Sequence, residues 1–411
     1  MLFRFIVIAV LLLLIEIYSL QAFKTLVRSK WIFWIGVGIS MLIYIFIFYT
    51  IFNFDRKVGQ TKQSLLALGL LLAIYLPKIV LTLFMFGEDV FRFLSGVTNY
   101  FIEYDNRSTF LPERRKFISQ VAFGLAAIPF LSLIYGVTKG KYNFKVFKKD
   151  LFFDDLPDAF DGFRITHISD IHSGSFDDSE KIQYAIDLIN KQDSDILLFT
   201  GDIVNAKAEE MDPWISVFKS IKEHRFGKFS VLGNHDYGAY IEWESEEAKV
   251  QNFKDIKKIH EQINFRLLLN EYVKIRKDGE EFSLVGVENW GKHFGMIGDI
   301  DKASEGLTNQ EFKILMSHDP SHWEEIVKHH DKKFHLTLSG HTHGMQFGIE
   351  IPGYFKWSLA QYMYKQWAGC YEHLGRYIYV NRGFGFHAYP GRVGIMPEIT
   401  VIQLKKTQKL A

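Results

Sequence analysis

The sequence predicts an α/β domain that follows a membrane domain of about four transmembrane helices. Three observations support this organisation. Four long apolar segments lie within residues 1–140. Short apolar runs alternate with amphipathic segments within residues 161–411, as in layered α/β domains. Side chains that can bind metals follow five of these runs, at the positions where the strands of such a sheet would end.

Length and composition limit the class of protein. The chain has 411 residues, enough for two or three domains. Its 48 basic and 47 acidic residues give a net charge of +1, which argues against nucleic acid as a partner. Cys370 is its single cysteine, so an intrachain disulfide and a thiolate zinc cluster are both excluded. The apolar content of 48% is high for a soluble enzyme.

Four segments are long and apolar enough to cross a bilayer, and they are residues 5–20, 31–54, 63–86 and 117–138. The first is the weakest, with a signal-type apolar region as its alternative. Glu16 and Lys78 lie inside the first and third segments. A charge within the membrane suggests a functional site, although a lysine that snorkels from a tilted helix is the favoured interpretation.

One local motif bears on the orientation of the protein in the membrane. The basic residues of the loops divide nearly equally between the two sides, so their distribution does not set the orientation. Arg114-Arg115-Lys116 precedes the fourth segment and resembles a twin-arginine export signal. We therefore expect a multi-pass protein of the cell membrane with an extracytoplasmic α/β domain. The alternative is a cytoplasmic domain and an ordinary basic flank.

Residues 141–160 are predicted to link the two domains. Phe144, Phe147, Phe152 and Phe153 are interleaved there with charged residues, which suits a segment on the membrane surface or a first edge strand. In the α/β domain, residues 179–191 and 214–223 are predicted helices. The predicted strands are residues 163–169, 196–200, 229–232, 282–287, 313–316, 335–338, 377–380 and 399–404.

Five motifs with metal-ligand side chains follow these strands: Asp170-Ile171-His172, Gly201-Asp202, Gly233-Asn234-His235-Asp236, Ser317-His318 and Gly340-His341-Thr342-His343. Two Asp, one Asn and four His suit a pair of divalent ions such as Mn, Fe, Zn or Co. Asp202 is the candidate bridge because it is the single acid at its strand end. Two such ions can share a hydroxide and clamp a phosphoryl oxygen, which supports displacement at phosphorus.

The five motifs, in this order, resemble those of the calcineurin-like metallophosphoesterases. The resemblance covers residues 163–404, and residues 377–383 and 397–400 are similar to the membrane-tethered or exported branch of that family. It implies a four-layer sandwich of two mixed β-sheets flanked by helices. It also implies Asp170, His172 and His343 as ligands of a first metal, Asn234, His318 and His341 as ligands of a second, and Asp202 as the bridge.

The resemblance further implies how the reaction is assisted. His235 would stabilise the phosphoryl group or protonate the leaving oxygen, and Asp236 could orient His235. Met345 stands where this branch usually has a second glycine after Gly-His-Thr-His-Gly, and a bulkier side chain there is expected to narrow the pocket. His387 could line the same pocket.

The expected function is that of a membrane-anchored phosphoesterase that uses two divalent metal ions, manganese among the candidates. It would hydrolyse a phosphodiester or phosphomonoester, with the lipid bilayer and a lipid-linked or envelope phosphoester as partners. An enzyme similar to the UDP-2,3-diacylglucosamine pyrophosphatases of lipid A synthesis is an alternative that requires a cytoplasmic site. A non-catalytic membrane scaffold or sensor is another, and the complete ligand set argues against it.

Residues 354–367 are rich in aromatic residues, with Lys356 and Lys365 among them. One interpretation is a packed cap over the sheet. The other is an interfacial lip, because aromatic residues and lysines together favour the headgroup region of a bilayer. A lip would bring the metals close to the membrane and favour a lipid-linked substrate.

Overall fold

The chain folds into two compact units, which a computed structural model describes over residues 2–102, 112–351 and 353–407. One unit contains Met1–Phe54 and Lys62–Thr138, and the other contains Asp55–Thr61 and Lys139–Ala411. We call the first the membrane unit and the second the α/β unit.

The membrane unit contains four long helices over its described residues. They are α1 (Leu2–Leu26), α2 (Lys30–Phe52), α3 (Lys62–Ile102) and α4 (Pro112–Thr138). Each is long and apolar enough to cross a membrane, so the prediction of four apolar helices is confirmed. The third helix continues well past residue 86, where the sequence predicts the end of the apolar segment.

Ion pairs with α4 accompany this extension of α3. Arg115 Nη1 lies 3.1 Å from Glu88 Oε2 and 2.8 Å from Asp89 Oδ1. Arg114 Nη2 lies 3.3 Å from Glu88 Oε1. Charges in apolar helices are tolerated when they pair with opposite charges. Glu88 and Asp89 are paired with the arginines of α4, so α3 can continue through them. The two arginines are those of the export-like motif, so they have a packing role, and an export role stays a prediction.

A second ion pair joins α1 to α3 inside the membrane unit. Lys78 Nζ lies 2.5 Å from Glu16 Oε2 and also contacts the Ser40 hydroxyl. The Glu16 side chain is buried. The interpretation of Lys78 as a snorkelling residue is therefore wrong, because its charge is neutralised within the unit instead of being carried outward.

The α/β unit contains sixteen strands and five α-helices over its described residues. The helices are α5 (Ser179–Asn190), α6 (Ile215–Lys219), α7 (Glu246–Gln262), α8 (Ile300–Ala303) and α9 (Ser321–Glu325). The strands are β1 (Lys145–Phe153), β2 (Arg164–Ile168), β3 (Ile196–Phe199), β4 (Lys228–Ser230), β5 (Arg266–Leu267), β6 (Glu271–Lys277), β7 (Glu280–Gly286), β8 (Trp290–Gly291), β9 (Gly295–Met296), β10 (Lys313–Met316), β11 (Leu336–Ser339), β12 (Gly348–Ile351), β13 (Phe355–Ser358), β14 (Gly369–His373), β15 (Arg376–Val380) and β16 (Glu398–Lys406).

Two six-stranded mixed sheets organise these elements. The first has the strand order β1-β16-β2-β3-β4-β5, in which β2 to β5 are parallel and β16 is antiparallel to β2. The second has the order β14-β15-β11-β10-β7-β6, with four parallel strands between two antiparallel ones. Because β1 pairs with β16 along its length, residues 141–160 contain an edge strand, as one of the two interpretations has it.

The central strands bury apolar side chains on both faces, which produces four layers. Leu198 of the first sheet and Ile314 of the second point into one core between the sheets. Their chain neighbours point the other way: Leu197 packs in the core with α5 and α7, and Leu315 packs in the core with α8 and α9. Alternation of this kind is the period of a strand. The predicted sandwich of two mixed sheets flanked by helices is confirmed.

Candidate metal centre

The loops that follow five strands bring the predicted ligands to one edge of both sheets. The first sheet contributes, after β2, β3 and β4, the residues Asp170, His172, Asp202 and Asn234. The second contributes, after β10 and β11, the residues His318, His341 and His343. All are buried except His341, which is half-buried. The parallel strands of each sheet end at this edge, so side chains distant in sequence meet there.

Three of these residues form a first candidate metal group. The ligand atoms of Asp170, His172 and His343 all lie within 4.8 Å of one another. His343 Nε2 is 3.3 Å from Asp170 Oδ1. One carboxylate and two imidazoles at this spacing suit a transition-metal dication.

A second candidate metal group lies next to the first. The ligand atoms of Asp202, His318 and His341 lie within 4.8 Å of one another. His318 Nε2 is 3.1 Å from Asp202 Oδ2, and Asn234 Oδ1 is 2.8 Å from His341 Nδ1. The structure thus places the four residues expected at the second metal side by side.

Asp202 connects the two groups. Its Oδ2 atom lies 3.1 Å from His318 Nε2 in the second group and 3.5 Å from His172 Nε2 in the first. A further short separation, 4.0 Å, joins His318 Nε2 to Asp170 Oδ1. One carboxylate between two ligand sets has the position that a bridging ligand requires.

The chemistry of these side chains fits a pair of divalent cations. His318 Nε2 is buried and lies 3.1 Å from Asp202 Oδ2, but it makes no hydrogen bond of good geometry among the described residues. Leaving a buried polar atom unpaired is costly, and a cation would satisfy it. Imidazole, carboxylate and amide oxygen ligands together suit Mn, Fe, Zn or Co.

Hydrogen bonds at the far side of three imidazoles fix which nitrogen faces the site. His318 Nδ1 is 2.6 Å from the Thr200 carbonyl oxygen, so this nitrogen carries a proton and Nε2 is the nitrogen that faces Asp202. His172 Nδ1 is 3.0 Å from Asn205 Oδ1. His341 is held the other way round, with Nε2 2.7 Å from the Tyr364 hydroxyl. Such outer contacts orient metal-binding histidines.

Strained backbone accompanies this arrangement. Five of the predicted ligands have φ between 49° and 69°, in the left-handed region: Asp170, His172, Asp202, His341 and His343. That conformation is uncommon for residues other than glycine and costs on the order of 1–3 kcal/mol each. Hydrogen bonds from the His172 amide to the Asp202 carbonyl (3.1 Å) and from the His341 amide to the Asp170 carboxylate (2.9 Å) help to hold it.

Glycines allow the ligand loops to approach one another. A Cβ atom on Gly340 would overlap Ser169 Oγ and Asp170 Oδ2, and one on Gly201 would overlap the Gly233 amide nitrogen. Gly201 also has a φ of 93°. The glycines of the Gly-Asp and Gly-His motifs are therefore required by close packing between loops.

The buried charges at the centre shift each other's pKa values. Burial opposes ionisation of Asp202, but the neighbouring His318 and His235 outweigh it and hold the pKa of this carboxyl well below its usual range. Burial likewise disfavours the charged form of His318, but Asp202 and Asp170 raise its pKa to about 10. The two carboxylates thus give the site the negative charge that attracts cations.

His235 lies beside the two groups with one ring nitrogen fixed. Its Nδ1 atom is 2.7 Å from the Asn205 carbonyl oxygen, so Nδ1 carries the proton and Nε2 is the remaining ring nitrogen. The Tyr240 ring stacks on it at a centroid distance of 4.3 Å. Burial lowers the pKa of this imidazole, which makes its protonated form a stronger acid.

The prediction that Asp236 orients His235 is wrong. The Asp236 carboxylate accepts hydrogen bonds from three backbone amides, those of Asp202 (3.0 Å), Ile203 (2.9 Å) and Gly233 (2.8 Å). Burial and the nearby Asp202 raise its pKa to about 7. Asp236 therefore ties the loops after β3 and β4 together, and the Asn205 carbonyl oxygen holds the histidine.

His387 lies at the metal centre, as the pocket-lining hypothesis requires. Its ring stacks on His172 at 4.8 Å and lies 4.5 Å from the His235 ring. Its Nδ1 atom is 3.2 Å from Asn205 Oδ1, and its amide donates to Gln346 Oε1 at 2.6 Å. Met345 is exposed and has a φ of 49°, a conformation suited to the glycine that it replaces.

Sequence reasoning missed three residues that support the site. Asn205 contacts His172, His235 and His387, Tyr364 contacts His341, and buried Arg392 has Nη2 3.1 Å from His343 Nδ1. Asn205 stands only three positions after Asp202, which is a usable signal. Tyr364 and Arg392 lie in segments without a metal-binding motif, so nothing local marks them.

Two family models match the chain. The model described as calcineurin-like phosphoesterase matches residues 163–345. The model described as probable calcineurin-like phosphoesterase, transmembrane domain, matches residues 3–141.

Curated proteins similar to the chain include bacterial and animal examples. The uncharacterized metallophosphoesterase YkuE of Bacillus subtilis is 30% identical over 257 residues, which are 61% of this chain and 82% of that protein. A transmembrane protein with metallophosphoesterase domain from Danio rerio is 26% identical, over 66% of this chain and 60% of that protein. An uncharacterized metallophosphoesterase of Helicobacter pylori is 27% identical, over 76% of this chain and 78% of that protein.

Among solved structures, the likeness is distant. A 5'-nucleotidase precursor from Thermus thermophilus is 10% identical with a TM-score of 0.36, over 59% of this chain and 54% of that one. Phosphopantetheinyl hydrolase from Mycobacterium tuberculosis is 10% identical with a TM-score of 0.33, over 53% of this chain and 88% of that one. The sequence relatives and the family models carry the assignment, and the chain belongs to the calcineurin-like metallophosphoesterases, in a form with an N-terminal transmembrane domain.

Proposed function

We propose that this chain is a membrane-anchored phosphoesterase that requires two divalent metal ions. The observation that carries the proposal is the pair of adjacent ligand groups that share Asp202. Asp170, His172 and His343 would hold one ion. Asn234, His318 and His341 would hold the other. When bound, such a pair supplies Lewis acidity toward a phosphoryl oxygen and lowers the pKa of a water molecule.

One side chain of the protein, His235, is placed to move a proton in this reaction. His235 is held at Nδ1 by the Asn205 carbonyl oxygen and lies outside the two ligand groups that Asp202 joins. We assign it the donation of a proton to the leaving oxygen. The Tyr240 ring stacks on His235 and the His387 ring contacts it edge-on, and both contacts restrict its rotation. A histidine held in one orientation serves as a general acid because the geometry of transfer is already set.

The substrate we propose is a lipid-linked or envelope phosphoester on the extracytoplasmic side. Four membrane helices in the same chain support a substrate that occurs at a bilayer. The basic flank of the fourth helix supports the extracytoplasmic side. A pyrophosphate-linked lipid precursor of the UDP-2,3-diacylglucosamine type is the alternative, and it requires the opposite side.

Metal removal tests the activity itself. Treatment of the purified full chain with EDTA is expected to abolish hydrolysis of p-nitrophenyl phosphate and bis(p-nitrophenyl) phosphate. Addition of Mn²⁺, Fe²⁺, Zn²⁺ or Co²⁺ should restore it, because imidazole-rich sites prefer these ions. Ca²⁺ is the control and should restore little, since it prefers six to eight oxygen ligands. Turnover that persists in protein shown by elemental analysis to be metal-free would favour the scaffold or another chemistry.

Protease treatment of intact cells tests the side of the membrane. We expect the α/β unit to be digested from outside, while a cytoplasmic marker protein stays intact until the membrane is broken. Protection of the α/β unit under the same conditions would overturn the extracytoplasmic assignment. It would instead favour the cytoplasmic precursor as the substrate.

A further inference from the structure

The hairpin of β12 and β13 has its apolar face turned outward. Register pairs Ile349 with Trp357 and Ile351 with Phe355 on one face, and Glu350 with Lys356 on the other. Ile349, Ile351 and Phe355 are 56%, 54% and 53% exposed, and Tyr354 beside the turn is 91% exposed. We call these four residues the apolar hairpin face. A hairpin on a soluble surface ordinarily shows the opposite arrangement.

Hydrogen bonds and ion pairs hold the charged face of the hairpin, Glu350 and Lys356, against the rest of the α/β unit. Arg382 Nη2 is 2.5 Å and its Nε is 3.0 Å from the two Glu350 oxygens, a bidentate pair. Arg382 is itself buried and bonds Glu398 at 2.6 Å. Lys356 Nζ contacts the Ala368 carbonyl oxygen and lies 3.1 Å from the Tyr371 hydroxyl. Because turning the hairpin over would break these buried pairs, the outward direction of the apolar face is fixed.

The hairpin is also attached to the loop that carries two predicted metal ligands. Ser358 Oγ at the end of β13 donates to the Gly344 carbonyl at 2.6 Å. Tyr364, shortly after the hairpin, bonds His341 Nε2 at 2.7 Å. Exposed Met345 follows His343 in the same loop. Two hydrogen bonds therefore connect the hairpin and the segment after it to the loop that carries His341 and His343.

We propose that the apolar hairpin face inserts into the interfacial layer of the lipid bilayer. What this contact implies for the substrate rests on the proposed function. A metal centre held at the bilayer surface by this face would act on phosphoesters whose acyl chains remain in the membrane. Substrates of this class would be presented by the bilayer itself, and water-soluble esters would not need the hairpin.

Two observations favour the bilayer as the occupant over a second copy of the chain. The same chain carries four apolar helices long enough to span a membrane, so the α/β unit is covalently joined to a membrane segment. The face combines aliphatic residues with Tyr354 and Phe355, and exposed Tyr362 and Lys365 follow in the chain. Aromatic residues with nearby lysines are typical of the membrane–water interface.

Fluorescence quenching by labelled lipid tests the contact directly. Tyr354→Cys, in a Cys370→Ser background, is labelled with an environment-sensitive dye in the full chain, reconstituted in phosphatidylcholine vesicles that carry a headgroup spin label. Tyr184→Cys is the matched control, since Tyr184 is a tyrosine 51% exposed on α5. We expect strong quenching at residue 354 and little at residue 184. Equal quenching at the two positions, or crosslinking between copies through residue 354 without quenching, would overturn the proposal.

A ratio of two activities tests the consequence for the substrate. Ile349→Ser with Ile351→Ser is compared with wild type on p-nitrophenyl phosphate in solution and on phosphatidic acid in vesicles. We expect the first activity to be unchanged and the second to fall about 10-fold or more, because two inserted aliphatic side chains are lost. A vesicle activity that falls no further than the activity in solution would contradict a role of the hairpin at the interface. Quenching needs no turnover, so an inactive wild type would count against the proposed function alone.

Discussion

Replacement of Asp202 by Asn is expected to reduce the occupancy of both metal ions and to lower turnover with it, because the reaction depends on the pair. Asp202 Oδ2 lies 3.1 Å from His318 Nε2 and 3.5 Å from His172 Nε2, so the same oxygen serves both ligand groups. The amide keeps the size of the side chain and an oxygen that can accept from the His235 amide, which donates to Asp202 Oδ1 at 2.8 Å. The variant therefore removes the charge and leaves the shape of the site. Elemental analysis of the purified full chain measures the loss.

The matched control is Asp170→Asn, which removes a carboxylate from the first group alone. Asp170 belongs with His172 and His343 in that group. We expect this variant to lose one ion and to keep the other. Two ions per chain in Asp202→Asn would refute the bridging role, and the same metal content in both variants would show that the two groups do not load separately.

Replacement of His235 by Ala is expected to leave the metal content unchanged and to lower turnover 10²–10⁴-fold, the range for loss of a general acid. The ring is fixed by the Asn205 carbonyl at 2.7 Å and is not part of either of the two ligand groups joined by Asp202. The loss should be larger for an alkyl phosphoester than for a p-nitrophenyl one. Nitrophenolate leaves without protonation, whereas an alkoxide needs a proton.

His330→Ala serves as the control for loss of an imidazole, because His330 pairs with exposed Asp301 at 3.1 Å on another part of the unit. We expect it to retain full activity. Equal losses for the two leaving groups in His235→Ala would assign the residue to the phosphoryl oxygens instead of the leaving oxygen. A fully active variant would remove it from the mechanism.

The ligand set could be predicted from sequence because each ligand follows a buried strand. Strands such as β3 and β10 are short and wholly apolar or buried, so their ends are easy to locate. The layers follow for the same reason, since apolar residues on both faces of a strand require a layer on each side. The local sequence therefore predicts the buried strands of the core and the ligand residues that follow them.

The sequence does not predict where the side chains point at the sheet edge that carries the ligands. Asp236 follows His235 directly, and adjacency suggests contact, but the turn at Asn234–Tyr237 sends the carboxylate back to three backbone amides. The helix α7 was missed because its buried apolar side is small, with Ile256 and Ile259 as its fully buried apolar residues. Arg392 reaches His343 across 49 positions, and such a contact depends on the assembled fold.

The pairing of Lys78 with Glu16 constrains how the membrane unit is made. The two residues lie 62 positions apart on α1 and α3, so the first helix is synthesised well before its partner. A charged residue at the centre of a lone helix costs about 2.5–3.5 kcal/mol on insertion. We therefore expect the first helix to stay at the insertion machinery until the third helix has been synthesised. The two helices would then enter the lipid together, with Glu16 and Lys78 paired. Biogenesis of this protein would then proceed by groups of helices, not one helix at a time.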